Sequence, residues 1–164
     1  MKKTLGTMVA IMVVAILIGT FITAKYATAG EIGKEGRFIA YDNGTVLDTR
    51  TNLMWAAEDN GSDINWANAK AYCKNYRGGG YTNWRMPTQN ELAGLYDEAK
   101  TFKSDSRDSD VRLTKLIRLT NTWVWALGKR GSKASYFHFA GGSWYWTHQS
   151  NDGGHRALPV RSVK

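Results

Sequence analysis

The chain has few of the residues that cross-link or stiffen a polypeptide: its 164 residues include one cysteine, Cys73, and two prolines. A single cysteine excludes an intramolecular disulfide and any site built from paired cysteines. The three histidines are scattered and lack the H-x-x-x-H spacing of zinc motifs. No nucleophile-elbow sequence is present either. These absences argue against the common metalloenzyme and hydrolase classes, so we expect a protein that is not an enzyme.

Acidic residues are absent from the first 30 positions. Lys2 and Lys3 precede an uncharged run from Thr4 to Ala24, and the small residues "ATA" at 27–29 follow. This order is typical of a secretory signal peptide. The uncharged run, about 20 residues long, also suffices for an uncleaved membrane anchor. Either alternative predicts export of the rest of the chain.

The sequence therefore predicts three parts. Residues 1–29 form a signal peptide or an N-terminal membrane anchor, residues 30–36 a linker, and residues 37–164 the exported domain. We expect that domain in the periplasm, at the cell surface or secreted, with a membrane contact only through an uncleaved N-terminal segment.

Positive charge exceeds negative charge in the exported part. The chain has 22 Lys and Arg against 14 Asp and Glu, and three of the lysines precede residue 30, which leaves a net charge of about +5. Eight basic residues lie between Lys103 and Lys133. An exported basic surface favours anionic polysaccharide as a partner, and nucleic acid is not expected outside the cell.

Turn and cap signals divide the domain into strands, two helices and further strands. Turns at 42–44 and 49–52 predict antiparallel hairpins. Residues 65–77 show helical periodicity, and the glycines at 78–80 are expected to end that helix in a left-handed turn. Thr88 and Glu91 form a capping box ahead of a second helix that continues to Ala99. This order predicts an α+β fold, with two helices packed on short antiparallel strands.

The segment "VRLTKLIRL" at 111–119 suggests a third, short amphipathic helix. Its face of Arg112, Lys115 and Arg118 is either a binding surface or merely solvated. From Thr122 onward, aromatic residues at alternate positions predict strands, with loops at 128–133, 141–142 and 150–154 between them.

Four stretches resemble one known family. "DNGTVLDTRTNLMW", "WANAKAYC", "GGYTNWRMPTQNEL" and "ALPVRSVK" occur in the order found in the Lcl C-terminal domain family, named for a collagen-like bacterial adhesin. The resemblance covers roughly residues 38–164 and is vague between about Tyr96 and the last ten residues. It implies a C-type-lectin-like fold, and it makes Trp84 and Arg85 scaffold residues.

The resemblance extends to formylglycine-generating enzymes, whose "RLPT" passage is similar to "RMPT" at 85–88 and which work through two cysteines and copper. This chain has only Cys73, so the resemblance implies a shared scaffold but not formylglycine-generating activity. Family members often carry a cysteine in the last strand, where this chain has Ser162. The resemblance therefore implies that a disulfide staple is missing and that Cys73 is a buried free thiol.

Aromatic and basic residues of the late strands are the candidate binding residues. Aromatic rings stack on the C–H faces of sugars, and Lys and Arg pair with sulfate or carboxylate. The candidates are Lys129, Arg130, Lys133, Tyr136, Trp144, Trp146 and Arg156. The alternative is that most of these aromatic residues fill the core.

No cofactor is expected, although calcium is an alternative to consider because many C-type lectins use it. Asn151 and Asp152, in "QSNDGG", are the calcium candidates, and "EDNGSD" at 58–63 is a second oxygen-rich segment. Both segments are equally typical of turns.

The adhesin's domain is associated with sulfated glycosaminoglycan-type ligands. By resemblance, we expect an exported lectin-like module that binds anionic or sulfated polysaccharide in adhesion or at the cell envelope. The alternative is an envelope domain with a structural role or a protein partner.

Overall fold

The computed structural model describes residues 29–104 and 109–163, which form an α+β structure. The predicted signal or anchor segment lies outside the described residues, apart from Ala29. The elements are β1 (Glu31–Glu35), β2 (Phe38–Tyr41), β3 (Thr45–Asp48), β4 (Leu53–Ala56), α1 (Trp66–Asn75), α2 (Gln89–Leu95), β5 (Phe102–Lys103), β6 (Asp110–Val111), β7 (Trp123–Arg130), β8 (Lys133–His138), β9 (Ser143–His148), β10 (His155–Arg156) and β11 (Val160–Ser162).

The first four strands form an antiparallel meander, as predicted. The five-stranded sheet has the order β1-β2-β3-β4-β11, so the last strand of the chain closes against β4. Gly44 (φ 76°) and Asn52 (φ 53°) lie in the two predicted turns, where the left-handed region favours Gly and Asn.

The expected linker at 30–36 is wrong in the structure, because most of it is the edge strand β1. β1 pairs antiparallel with β2. The Glu35 carboxylate accepts hydrogen bonds from the Thr114 hydroxyl at 2.5 Å and the Lys115 amide at 3.0 Å, and it pairs with Lys100 at 2.5 Å. Sequence polarity suggested a linker, but these long-range bonds make the segment part of the fold.

The second sheet has four strands in the order β10-β7-β8-β9. Its pairs are antiparallel, except that β10 runs parallel to β7. β9 is therefore the outer strand of this sheet. The predicted strands after Thr122 are confirmed, but the loop expected at 128–133 is wrong, because β7 and β8 leave only residues 131–132 between them.

Both predicted helices are present. Asn65 caps α1 by accepting from the Asn68 amide, and Trp66, Ala69 and Cys73 form its buried face. The expected left-handed end of this helix is wrong, since its C-cap, Tyr76, is extended at φ −60° and ψ 142°. The glycines that follow form a separate 3-10 turn, in which Gly79 and Gly80 have positive φ.

α2 begins with the predicted capping box and ends at Leu95, earlier than expected. The Thr88 hydroxyl accepts from the Glu91 amide at 3.2 Å, and the Glu91 carboxylate accepts from the Thr88 amide at 2.8 Å. Both bonds satisfy amides that the first helical turn leaves without partners.

The four-stranded sheet lies between the two helices. On one face Val124 and Phe137 belong to the same buried cluster as Leu92 and Leu95 of α2. On the other face Trp125 packs with the buried side of α1. Because successive side chains of a strand alternate between faces, β7 and β8 each contribute to both clusters.

The third amphipathic helix expected at 111–119 is wrong. This segment begins in β6 and continues as turns, with Val111, Leu113, Ile117 and Leu119 fully buried. Its amides reach distant carbonyls: Arg112 donates to Phe139 at 3.1 Å and Arg118 to Ala57 at 2.7 Å. Tertiary bonds replace the local bonds of a helix.

Cys73 is a buried free thiol, as expected, while Ser162 is exposed at the end of β11. Burial raises the pKa of Cys73 to about 12. Neither described helix has the length and apolar composition needed to cross a bilayer.

Candidate functional site

Trp84 and Arg85, within "WRMPT", make structural contacts. The buried Trp84 indole donates to the Gly78 carbonyl at 3.1 Å. The Arg85 guanidinium binds both carboxylate oxygens of Glu91, at 2.8 and 2.6 Å. The Arg85 backbone exchanges two hydrogen bonds with Val160 at 2.9 Å. The stretch therefore ties the start of α2 to the closing strand.

Four of the candidate binding residues lie on one face of the four-stranded sheet. We call them the Arg130–Trp146 surface: Arg130, Lys133, Trp144 and Trp146. The Arg130 guanidinium lies 4.3 Å from the centre of the Trp146 ring. Trp144 packs edge-on against Trp146, with ring centres 6.5 Å apart, and is 46% exposed. Lys133 is exposed and pairs in register with Arg130 on β7.

Gly128 gives this surface room. A Cβ at Gly128 would lie 2.5 Å from the Ser135 hydroxyl and 3.4 Å from the Trp146 ring. The absent side chain thus leaves space for Ser135 and Trp146, which are opposite one another on β8 and β9. The sequence predicted a loop at 128–133, and no residue pattern indicated this role of Gly128.

Arg130 and Lys133 have their charged groups available to solvent. Both side chains are exposed, and neither side chain forms a hydrogen bond or an ion pair with another residue in 29–104 or 109–163. A guanidinium that stacks on an indole keeps its N–H groups directed outward in the ring plane, where a sulfate or carboxylate can bind.

Tyr136 lies on the opposite face and belongs to a different group. Its ring stacks on Tyr145 with centres 5.7 Å apart and meets His155 edge-on at 4.6 Å. Trp123 is 5.9 Å from Tyr136 and 6.2 Å from His138. Burial raises the pKa of Tyr136 and lowers that of His138. Alternation within each strand is visible in the sequence, but this grouping needed the register between strands.

Lys129 is also on the α1 side. Its ammonium lies 5.2 Å from the centre of the Trp66 ring, and Lys70 lies 5.4 Å from the same centre. The structure therefore separates Lys129 from Arg130, its neighbour in sequence.

Arg156 was expected as a ligand-binding cation, but the structure places it inside the protein, where it is 4% exposed. Its guanidinium donates to the Thr120 hydroxyl at 2.6 Å and pairs with Asp63. These contacts tie β10 to two loops, so Arg156 is not part of the candidate surface. Neighbouring Asp59 accepts from the Thr120 amide at 2.7 Å, and burial raises its pKa.

The calcium candidates occupy turns. The Asn151 side-chain oxygen accepts from the Gly153 amide at 3.1 Å, and its nitrogen donates to the Thr147 hydroxyl at 3.2 Å. Asp152 is exposed. In the earlier segment, the Asn60 side-chain oxygen accepts from the Ala157 amide at 2.7 Å. Across the described residues, no three His, Cys, Asp or Glu side chains gather as a metal-binding group.

Three clefts of about 220, 170 and 200 Å³ lie beside the five-stranded sheet. Their walls contain no residue of β7, β8 or β9. The Arg130–Trp146 surface is therefore separate from these clefts.

Comparison with known proteins gives one assignment. A search of curated proteins finds no significant match. The family model described as the Lcl C-terminal domain matches residues 44–161, which is most of the chain and includes every strand from β3 to β10. The chain therefore belongs to the Lcl C-terminal domain family.

Proposed function

We propose that the protein is an exported, non-catalytic binding module with a C-type-lectin-like fold that takes anionic or sulfated polysaccharide, in adhesion or at the cell envelope. The binding site is the Arg130–Trp146 surface, and no cofactor is required. The observation that carries the proposal is the Arg130 guanidinium, which lies over the Trp146 ring beside the exposed Trp144 and has no ion-pair partner among the described residues.

This combination matches the two chemical features of such a ligand. The indole faces of Trp144 and Trp146 suit the apolar C–H side of a sugar ring. Arg130 and Lys133 supply charge-assisted hydrogen bonds to sulfate or carboxylate groups. Because both cations are exposed, salt should weaken the binding.

The test is heparin binding by the full chain in a nonionic detergent, with heparin as the sulfated polysaccharide probe. The Arg130→Ala/Lys133→Ala double variant should bind heparin about tenfold more weakly, since hydrogen bonds to charged groups contribute roughly 1.5 kcal/mol or more. The Trp144→Ala variant should also bind more weakly, without any change of charge. The measurements are the Kd and the salt concentration of elution, each with and without calcium.

The matched control is Lys34→Ala/Lys74→Ala, which removes the same charge from exposed positions outside this surface. Equal losses in the two double variants would mean that heparin senses only net charge, and the proposed site would be rejected. A strict need for calcium would contradict the proposal that no cofactor is required.

An envelope protein is the second candidate partner. The observation that favours it is that exposed aromatic residues of β9 point to both sides of the sheet, Trp144 to one and Tyr145 to the other. If all variants bind heparin like the wild type, this second function becomes the better proposal.

A further inference from the structure

We propose that the outer edge of β9 pairs with β9 of a second copy of the chain, antiparallel about a twofold axis at Tyr145. The two four-stranded sheets then form one eight-stranded sheet. The pairing stands on the edge geometry alone, whereas its effect on ligand binding rests on the proposed function. It would bring two Arg130–Trp146 surfaces onto one continuous face.

The first support is the regularity of this edge. β9 pairs with β8 through six consecutive residue pairs without a register shift. No strand among the described residues pairs with its other side. Ser143, Trp144 and Tyr145 are exposed. The sequence "SWYWTH" has no proline, lysine or acidic residue, which are the usual means of preventing edge pairing.

The other edges of the two sheets differ. β1 carries Glu31, Lys34 and Glu35 and has a register shift between Glu31 and Gly33. β10 is two residues long and buried, and β11 is three residues long and carries Arg161. Each has a feature that discourages pairing with another chain, and β9 lacks all of them.

The second support is that β9 is self-complementary when two copies of it pair antiparallel. Trp144 and Trp146 point to one face and Tyr145 to the other. A twofold axis perpendicular to the sheet keeps each face on its own side. With the axis at Tyr145, Trp144 lies opposite the partner's Trp146, and the two tyrosines lie opposite each other. Aromatic residues in directly opposite positions stabilise antiparallel strands.

Charge also permits this partner. Arg130 and Lys133 lie toward the His148 end of β9. The twofold axis sends the two copies of that end in opposite directions, so the cations of the two chains are kept apart.

The size of the contact sets the expected strength. One six-residue edge buries less than the roughly 800 Å² per partner of a standard interface. The dimer should therefore be weak and should form as protein concentration rises.

Disulfide trapping tests the pairing on the full chain in nonionic detergent. Directly opposite residues of antiparallel strands have Cα atoms about 4.5–5.5 Å apart, within the range that a disulfide spans. The Tyr145→Cys variant should form disulfide-linked dimers at least tenfold faster than the Ile32→Cys control. Ile32 is 69% exposed on the charged β1 edge.

The buried Cys73 provides a check of folding, because a thiol-specific reagent should label one thiol in each variant and leave Cys73 unlabelled. Equal trapping rates in two correctly folded variants would overturn the proposal. The Tyr145→Lys variant places two positive charges on the axis and should reduce concentration-dependent association by about tenfold in light scattering. Its heparin affinity at high dilution should stay near that of the wild type, so loss of pairing is distinguishable from failure of the Arg130–Trp146 surface.

Discussion

His155 is a histidine that the fold keeps uncharged. It is 1% exposed and stacks on Trp125 with ring centres 4.2 Å apart. Nδ1 lies 3.0 Å from the Gly153 carbonyl, which fixes the proton on that nitrogen, and Nε2 has no partner among the described residues. Desolvation lowers the pKa of His155 to about 4.

This burial predicts a loss of stability in acid. Between pH 6.5 and about 4 the unfolded chain binds a proton at His155 that the folded chain does not, so the free energy of unfolding falls as pH falls through this window. The full effect is roughly 3 kcal/mol. The His155→Phe variant keeps a stacked ring but has no group to protonate at this position. Its free energy of unfolding, measured by denaturant unfolding, should fall by roughly 3 kcal/mol less than that of the wild type between pH 7 and pH 4.

The control for this prediction is the exposed His148, whose replacement by glutamine should leave the wild-type pH dependence intact. Asp59 acts in the opposite direction, since its raised pKa favours the folded state as pH falls. The comparison between variants removes that contribution. Parallel pH curves for the wild type and His155→Phe would contradict the assignment.

At the scale of elements, Glu91 connects three parts of the chain. It caps α2 through the Thr88 amide and binds Arg85, whose backbone pairs with β11. The Arg85 guanidinium lowers the pKa of Glu91 against the effect of burial.

The Glu91→Gln variant should therefore lose about 2 kcal/mol of unfolding free energy, because hydrogen bonds between charged groups weaken. Chemical denaturation measures this loss. The exposed Glu98 is the control, and its change to glutamine should cost less than about 0.5 kcal/mol. The coupling is tested with Arg85→Met and the double variant. If the loss of unfolding free energy in the double variant equals the sum of the two single losses, the two side chains are not coupled.

Elements specified by local interactions could be predicted from the sequence. The capping box depends on Thr88 and Glu91, three positions apart, and the hairpins depend on turn residues within four positions. Segment 111–119 could not be predicted, because its leucines and isoleucine have helical spacing while its amides bond to Ala57 and Phe139. Long-range bonds of this kind leave no local trace.

The candidate site was predictable to a similar extent. The sequence identified Arg130, Lys133, Trp144 and Trp146 by residue type, and the structure brings these four together. It could not show that Tyr136 faces the other way or that Arg156 is buried. Those facts depend on the β8–β9 register and on the parallel β10–β7 pair, which join residues far apart in the chain.

At the scale of the whole molecule, β1 joins the N-terminal edge of the domain to the loop after β6. Glu35 makes this connection through Thr114, Lys115 and Lys100. Hydrogen bonds from these groups lower the pKa of Glu35, the Lys100 bond most of all.

The Glu35→Gln variant should lose roughly 1–2 kcal/mol of unfolding free energy at neutral pH. The loss should shrink in acid, since a lowered carboxylate pKa stabilises the fold above the unfolded pKa and stops doing so as the group is protonated. Thermal and denaturant unfolding measure both effects. Glu31→Gln, at an exposed position of the same strand, is the control. If the Glu35→Gln and Glu31→Gln variants are equally stable, the Glu35 contacts do not stabilise the fold, and residues 30–36 act as a linker.

The burial of Cys73 also means that the chain must fold before this thiol is oxidised. Before folding, its thiol is open to exchange with any disulfide or oxidant that the chain meets. After folding, a fully buried sulfur with a pKa of about 12 is closed to such exchange. A chain captured as a mixed disulfide carries an adduct for which the α1 face has no space. In an oxidising compartment, the yield of native protein therefore depends on whether folding buries the Cys73 thiol faster than the thiol is oxidised.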